Sequence, residues 1–162
     1  MKDLKYCCLC GEELKGKTLL DGSIEKYCQN CDHVFFNEPS PAVIVAVINN
    51  SKVLLTRSVG WNHSYWGLVA GHVKSGETAE ETAVREVKEE VGLQIKNLNI
   101  LGTFAYKDRD LLMIGFRADS EIASIKMSQE LEKAEWFHLD GGLPVRPGSI
   151  ASQILSMITS RL

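Results

Sequence analysis

Two stretches of the sequence are the most informative about fold and function. They are residues 71–77, Gly-His-Val-Lys-Ser-Gly-Glu, and residues 85–93, Arg-Glu-Val-Lys-Glu-Glu-Val-Gly-Leu. On a helix, Glu86, Glu89 and Glu90 stand at i, i+3 and i+4, so their carboxylates share one face. Carboxylates that converge within one turn repel each other unless solvent or a cation screens them. Such hard oxygen ligands suit Mg²⁺ or Mn²⁺ better than zinc. By itself, a run of this kind is usually a solvated helix face.

The loop before these glutamates favours a site over a solvated face. Gly71 and Gly76 permit a tight backbone around the entrance to the helix. Glu77 lies eight residues before Arg85, so it can fold back against Arg85 as an ion pair. Loop and helix together therefore predict a braced, acidic element.

The helix that carries the glutamates is predicted over residues 78–91. Thr78 and Glu81 form a capping box, and Gly92 stands where a C-terminal glycine ends a helix. A different face of this helix is suited to the core, and we expect it to hold Val84, Val87 and Val91.

Apolar runs on both sides of this helix predict strands. The predicted strands are residues 42–48, 53–57, 98–104, 111–117 and 135–138. Residues 49–51, Asn-Asn-Ser, indicate a hairpin between the first two strands. Residues 38–41, Glu-Pro-Ser-Pro, indicate a stiff connector, residues 61–66 an aromatic loop, and residues 149–161 a final helix. This order of elements indicates an α/β sandwich.

All five cysteines fall before Asp32. They include two Cys-x2-Cys pairs separated by 17 residues, the spacing of a four-thiolate zinc site. A closed tetrahedral site leaves no position for substrate, so its role is structural, and a short segment without a large core needs such a clip to fold. The predicted zinc ligands are Cys7, Cys10, Cys28 and Cys31. Cys8 is surplus, although it could replace Cys7.

Other interpretations of the cysteine segment are unliganded thiols, a redox pair and a nucleic-acid-binding zinc ribbon. A redox role is disfavoured because neither pair sits at a strand-to-helix junction. Nucleic-acid binding is disfavoured because residues 1–36 hold five lysines against six acidic residues, a net charge of −1 rather than a basic footprint.

The acidic segment resembles the signature of the Nudix family, G-x5-E-x7-R-E-U-x-E-E-x-G-U, in which U is a bulky aliphatic residue. Every specified position is matched, by Gly71, Glu77, Arg85, Glu86, Val87, Glu89, Glu90, Gly92 and Leu93. The resemblance implies that Glu86, Glu89 and Glu90 hold divalent cations and that Glu77 pairs with Arg85 to brace the loop. It also implies a metal contact from the backbone carbonyl near Gly71.

The resemblance further implies the chemistry. Metal ions neutralise the charge of a diphosphate and lower the pKa of an attacking water. Hydrolysis then proceeds by in-line displacement at phosphorus, with a carboxylate as general base. We assign the base to Glu89, although the sequence does not distinguish it from the other glutamates.

More of the chain resembles the NADH pyrophosphatase branch of that family. The branch has a four-cysteine zinc ribbon, a proline-containing connector and then the Nudix domain, which is the order found here. It also has a further metal-binding glutamate six residues before a tryptophan, and Glu130 stands there relative to Trp136. The expected architecture is a Nudix α/β/α sandwich with a mixed sheet over residues 38–162, after a zinc ribbon over residues 1–37.

One segment departs from that branch. The branch carries S-Q-P-W-P-F-P-x-S after the signature, whereas residues 103–111 keep the spacing without the prolines. Tyr106 falls at the tryptophan position and is a candidate for stacking on a base. Lys107 and Arg109 are candidates for phosphate contacts, and Trp66 is a candidate substrate contact or a core residue.

The sequence therefore predicts Mg²⁺- or Mn²⁺-dependent hydrolysis of the diphosphate in a nucleoside diphosphate derivative, with NAD(H), ADP-ribose or a related dinucleotide as leading substrates. The alternatives are a non-catalytic nucleotide sensor with a Nudix fold and a zinc-ribbon nucleic-acid adaptor. The net charge of −3 gives no general attraction to nucleic acid or membrane, and no apolar run is long enough to span a bilayer. The N-terminus lacks a signal-peptide pattern, so a cytoplasmic location is expected. A homodimer is expected from the resemblance.

Overall fold

The structure is a computed structural model that describes residues 4–121 and 124–160. Within it the chain divides into two compact units, the first ending at Pro39 and the second beginning at Ser40. In the described part of the chain, no helix is both long enough and apolar enough to cross a bilayer.

The first unit is built from short antiparallel strands. These are β1 (Lys15–Thr18), β2 (Ile24–Cys28) and β3 (His33–Phe35), in the order β1-β2-β3. Its buried centre holds Cys7, Leu14 and Cys28. Such a small apolar centre provides little hydrophobic stabilisation, which is the situation in which small domains use a metal or disulfides. These three strands were not predicted, because their sequences lack an apolar alternation long enough to identify them.

The second unit is a mixed sheet between two helices. Its strands are β4 (Ser40–Asn49), β5 (Lys52–Ser58), β6 (Val69–His72), β7 (Lys96–Tyr106), β8 (Leu111–Asp119) and β9 (Leu131–His138). The order is β7-β8-β4-β5-β9, and β6 also pairs with β4. Strands β4 and β8 are parallel and the other pairings are antiparallel. The predicted α/β/α sandwich with a mixed sheet is confirmed.

Strand β4 lies at the centre of the sheet and separates two cores. One face of β4 contributes to the core that includes residues of the C-terminal helix α2 (Ile150–Thr159), and it presents Ala42, Ile44, Ala46 and Ile48. The other face contributes to the core that includes residues of helix α1 (Ala79–Val91), and it presents Val43, Val45 and Val47. A strand buried on both faces reads as a continuous apolar run, which is why residues 42–48 were recognisable in the sequence.

Helix α1 has the ends that the sequence predicts. The side chain of Thr78 accepts a hydrogen bond from the backbone of Glu81, the side chain of Glu81 accepts one from the backbone of Thr78, and Gly92 is in the left-handed conformation. The hairpin after β4 is also present, with Asn50 at a φ of 54°.

The prediction that Val84 belongs to the core was wrong. Val84 is 45% exposed, whereas Val87 and Val91 are fully buried. The buried stripe of α1 follows i, i+4 and i+8 from Ala83, and Val84 is rotated about 100° away from it. Ser40 and Pro41, expected in the connector, are the first residues of β4.

Candidate functional site

The site begins where α1 crosses β6. Gly71 of β6 lies opposite Val43 of β4, so its backbone is fixed by the centre of the sheet. A Cβ added to Gly71 would lie 2.0 Å from Cδ and 2.1 Å from Oε1 of Glu86. The carboxylate of Glu86 therefore rests directly against the backbone of β6, and its side chain is 13% exposed. Any other residue at position 71 would displace this carboxylate.

Arg85 joins the carboxylates of the loop and the helix. Its Nε and Nη2 donate to the two oxygens of Glu77 at 2.7 and 2.8 Å. Its Nη1 donates to Glu86 Oε1 at 2.6 Å and to Glu89 Oε2 at 3.1 Å. Nη2 also donates to the carbonyl oxygen of His72 at 3.1 Å. One guanidinium thus fixes three glutamates and the end of β6, a task for which its planar fork is suited.

Glu77 is the brace between the loop and the helix. Besides Arg85, its Oε2 accepts from the hydroxyl of Thr82 at 2.9 Å and from the backbone N–H of Lys74 at 3.2 Å. The hydrogen bonds from Arg85, followed by those from Thr82 and Lys74, lower the pKa of Glu77 to about 2. Glu77 is therefore ionised over the whole physiological range. The sequence predicted the pairing with Arg85 but not the role of Thr82, four residues after the helix cap.

Glu90 has a different environment from its neighbours. It is a buried carboxylate in the last turn of α1. Burial, followed by the negative charges of Glu86 and Glu130, raises the pKa of Glu90 to about 8. A carboxylate buried beside two others is the arrangement that a bound divalent cation relieves, because the cation replaces like-charge repulsion with attraction.

A short segment after β8 brings Glu130 to this position. The N–H of Lys126 donates to the carbonyl oxygen of Val91 at 3.0 Å, and that of Ser128 donates to the carbonyl oxygen of Glu90 at 2.8 Å. These bonds satisfy carbonyls that the C-terminus of α1 would otherwise leave free. Residues 126–130 therefore form a strap across the end of the helix, and Glu130 is its last residue. The strap was not predicted, since no local pattern in this segment indicates its contact with the helix.

Glu89, the predicted base, is the most accessible of the signature glutamates on α1. Its side chain is 55% exposed, against 13% for Glu86. Arg85 holds it at 3.1 Å, and the ammonium of Lys74 lies 3.9 Å from the same oxygen. This carboxylate is oriented by two cations and is open to solvent on its remaining side.

The predicted substrate contacts lie elsewhere on the second unit. Tyr106 ends β7 and is 39% exposed, and the 3₁₀ turn Lys107–Arg109 that follows is exposed. The carbonyl oxygen of Asp110 accepts from the N–H of Ser40, which ties this turn to the start of β4. Trp66 instead packs edge-on against Phe137, with ring centroids 4.9 Å apart, in the core on the α2 face.

The four predicted zinc ligands meet in the first unit. One sulfur from each of Cys7, Cys10, Cys28 and Cys31 lies within 4.8 Å of the other three. The Sγ atoms of Cys10 and Cys28 are 3.5 Å apart, and those of Cys7 and Cys31 are 3.9 Å apart. Tetrahedral coordination at a Zn–S distance of about 2.3 Å places sulfurs about 3.8 Å apart, so the donor set fits zinc. Cys8 is exposed and lies outside this cluster.

Known proteins resemble this chain in sequence and in fold. A family model described as the NUDIX domain matches residues 38–150. The chain belongs to the Nudix family. Among curated proteins it is similar to the protein named NAD-capped RNA hydrolase NudC from Pseudomonas entomophila, with 32% identity over 99% of this chain. The Pseudomonas putida KT2440 protein of the same name is also 32% identical over 99% of this chain. The chain spans 58% of the length of each of these relatives.

Solved Nudix structures share the fold. A Nudix hydrolase from Nitrosomonas europaea superposes with a TM-score of 0.71 at 22% identity, covering 96% of this chain and 88% of its own. An ADP-ribose pyrophosphatase from Streptococcus suis superposes with a TM-score of 0.62 at 22% identity, covering 76% of this chain and 93% of its own. At these identities the likeness concerns the fold alone.

Proposed function

We propose that this Nudix protein is a divalent-metal-dependent pyrophosphohydrolase that cleaves the diphosphate of a nucleoside diphosphate derivative. The observation that carries this proposal is the buried carboxylate of Glu90 beside Glu86 and Glu130, where burial and the two neighbouring charges together raise its pKa. Three hard oxygen donors at one end of a braced helix fit Mg²⁺ or Mn²⁺. When bound, such a cation would neutralise the diphosphate and acidify an attacking water.

Side chains of the protein are proposed to position the metal ligands and to accept the proton of the attacking water. Arg85 and Glu77 hold the loop against the helix, so the carboxylate of Glu86 stays fixed on Gly71. Glu89, accessible and oriented by Arg85, is proposed to accept the proton of the water that attacks phosphorus. Reaction at phosphorus needs the water, the phosphorus atom and the leaving oxygen in line, and this alignment depends on how the substrate is held.

The leading substrates are NAD(H), ADP-ribose and related dinucleotides. The name of the relatives, NAD-capped RNA hydrolase, supports an NAD-like group, and it adds an NAD-capped RNA end as a candidate substrate.

The turn with Lys107 and Arg109 lies near the proposed metal site. It is tied to Ser40, which is three residues along β4 from Val43, and Val43 lies opposite Gly71. Three residues of strand span about 10 Å, within the length of a dinucleotide, so this turn is proposed to contact the part of the substrate beyond the diphosphate. Tyr106 is proposed to contact the same substrate, whereas Trp66 is assigned to the core, where it packs against Phe137.

In the first unit we propose a structural zinc ion held by the four clustered cysteines. We assign this ribbon to residues 1–37 and the hydrolase domain to residues 38–162. A closed set of four thiolates leaves no coordination position for a substrate, so the ribbon is proposed to have no part in the chemical step.

The test is turnover of NADH, NAD, ADP-ribose, diadenosine polyphosphates and nucleoside triphosphates with Mg²⁺ and with Mn²⁺. The proposal expects metal-dependent release of AMP from at least one dinucleotide or from ADP-ribose. Glu89→Gln is the inactivating variant, and Glu80→Gln, an exposed glutamate in the first turn of the same helix, is its matched control. Absence of turnover together with tight nucleotide binding would favour a nucleotide sensor instead.

A further inference from the structure

The loop between β5 and β6 carries three aromatic rings at alternate positions, Trp61, His63 and Tyr65. The centroids of the Trp61 and His63 rings are 5.0 Å apart, and those of His63 and Tyr65 are 5.9 Å apart. These distances are in the range of favourable aromatic pairs. The rings therefore form a continuous row, which we call the aromatic row.

Arg57 holds the backbone of the residues that form the aromatic row. The guanidinium of Arg57 donates to the carbonyl oxygens of His63 and Tyr65, the latter at 3.1 Å. Its side chain is 13% exposed and lies 3.7 Å from the carboxylate of Glu132. These contacts restrain the backbone of the loop, so a ligand that binds to the row has less of it to order.

The first ring of the row lies against the backbone. A Cβ on Gly67 would lie 2.8 Å from Cη2 of Trp61, so the indole rests on Gly67. His63 is exposed and Tyr65 is 38% exposed. The next aromatic residue, Trp66, turns the other way and packs against Phe137. Packing of the core thus accounts for Trp66 but not for the exposed rings of His63 and Tyr65.

The aromatic row starts beside the carboxylates. The N–H of Val59 donates to the carbonyl oxygen of Glu130 at 2.9 Å, and Ser58 pairs with Leu131. At its other end, the loop leads into β6 and Gly71, on which Glu86 rests. Both ends of the loop are therefore anchored next to residues proposed to hold the metal, and a group bound to the row remains close to the diphosphate.

We propose that Trp61, His63 and Tyr65 form a stacking site for an unpaired nucleobase of the substrate. This inference rests on the proposed hydrolase activity, which it extends by naming what holds the substrate beside the diphosphate. Aromatic rings stack on any base through its π-face, so the site tolerates different bases. The base is adenine, the second base of a dinucleotide, or a base of an RNA chain attached to it.

The variants Trp61→Ala and Tyr65→Leu test the site. Loss of one stacked ring is expected to raise KM roughly 5–100-fold and to leave kcat within about twofold, because stacking holds the substrate without entering the chemical step. Tyr65→Phe retains a ring that can stack, so its KM is expected to rise less than that of Tyr65→Leu. Ile100→Ala removes an exposed apolar side chain from β7 and controls for truncation in general. Unchanged melting temperatures show that the loop variants are folded.

Three substrates identify the source of the base. A rise in KM for ADP-ribose as well as NAD indicates adenine, a rise for NAD alone indicates the second base, and a rise confined to an NAD-capped oligonucleotide indicates the RNA. All three outcomes support stacking. An unchanged KM for all three substrates in both Trp61→Ala and Tyr65→Leu overturns the proposal.

A binding measurement separates this inference from the proposed activity. AMP is titrated into the wild-type protein, and the indole N–H resonance of Trp61, assigned with Trp61→Phe, is followed by NMR. A saturable shift that Tyr65→Leu weakens supports the site even if no substrate turns over. If an NAD-capped oligonucleotide, titrated into Glu89→Gln protein, gives no shift either, the aromatic row does not bind bases, whatever the activity of the enzyme.

Discussion

The carboxylate of Glu86 fills the space beside Gly71 that a side chain would need: a Cβ on Gly71 would lie 2.0 Å from the carboxylate carbon of Glu86. A Gly71→Ala substitution must move this carboxylate, and a displacement of about 1 Å at a catalytic group costs on the order of 10²-fold in rate. We expect kcat to fall by that factor and the concentration of Mg²⁺ needed for half-activation to rise. Gly142→Ala is the control, because a Cβ there meets nothing within 4 Å and its φ is not positive. Equal kinetics for both variants would show that the contact does not matter.

Glu77 should make stability depend on pH in the acidic range. Arg85 lowers the folded-state pKa of Glu77 to about 2, below the ordinary value of 4.5. A carboxylate with a depressed pKa contributes stability above its unfolded pKa, and this contribution is lost as the pH falls towards 2. We expect Glu77→Gln to melt at a lower temperature than the wild type at pH 7, with the difference shrinking below about pH 4.5. A difference that stays constant from pH 7 to pH 3 would contradict this role.

Glu90 should make stability depend on pH in the opposite direction from Glu77. Its raised pKa of about 8 means that the folded, metal-free protein holds a proton that the unfolded chain releases near pH 4.5. Stability therefore falls as the pH rises from 4.5 to 8. In buffer free of Mg²⁺ and Mn²⁺, Glu90→Gln should be more stable than the wild type at pH 8, by on the order of a few kcal/mol, with equal stability near pH 4.5. Urea denaturation at the two pH values measures this.

The same proton should compete with the metal. A cation held by Glu90 must displace that proton, so Mg²⁺ activation should require less metal as the pH rises from 7 to 9. Glu89→Asp, which changes an exposed carboxylate, is expected to retain this pH dependence, whereas Glu90→Gln loses it. A pH-independent activation constant in the wild type would argue against Glu90 as a ligand.

Gly92 should control the position of the strap that carries Glu130. Its φ is 69°, and a Cβ there would lie 2.9 Å from Cβ of Lys126. Gly92→Ala is expected to weaken metal activation as well as stability. Gly148→Ala carries a similar backbone strain, at a φ of 73°, but its Cβ meets nothing within 4 Å. It should therefore lower the melting temperature and leave the metal requirement unchanged. A normal metal requirement in Gly92→Ala would show that the strap does not position a metal ligand.

The cysteine cluster should hold about one zinc ion per chain. Cys28→Ser removes a buried ligand and is expected to abolish zinc binding and to unfold the ribbon, because binding and folding of such sites are coupled. Cys8→Ser changes a cysteine outside the cluster and should retain the metal. Elemental analysis of freshly reduced protein measures both. Equal zinc content in the two variants would contradict the assignment.

The parts of the fold that could be predicted are those with local signals. The ends of α1 follow from Thr78, Glu81 and Gly92, which act within one turn, and β4 follows from its continuous apolar run. Strand β6 was not predicted, because it is four residues long and contains Gly71. Its pairing with β4 depends on residues far apart in the sequence, and no local pattern encodes such contacts.

In the candidate site, too, the features with a local sequence signal were predicted and those that depend on tertiary packing were not. The pairing of Glu77 with Arg85 followed from their spacing and from the family signature. The packing of Glu86 onto Gly71 and the burial of Glu90 depend on how α1 lies on the sheet, which the spacing does not give. The exposure of Val84 has the same origin, since the direction in which a helix faces its sheet is set by tertiary packing.

The second partner of β4 changes along its length: β6 pairs with residues 42–45, and β5 pairs with residues 48 and 49. The loop that joins β5 to β6 therefore leaves the sheet and returns to it at this division, and a bridge between Thr56 and Gly67 closes its base. Residues can be inserted or replaced within such a closed loop without shifting the register of β4 or moving Gly71. The loop proposed to bind the base can thus change in sequence while the residues proposed to carry out hydrolysis stay in place.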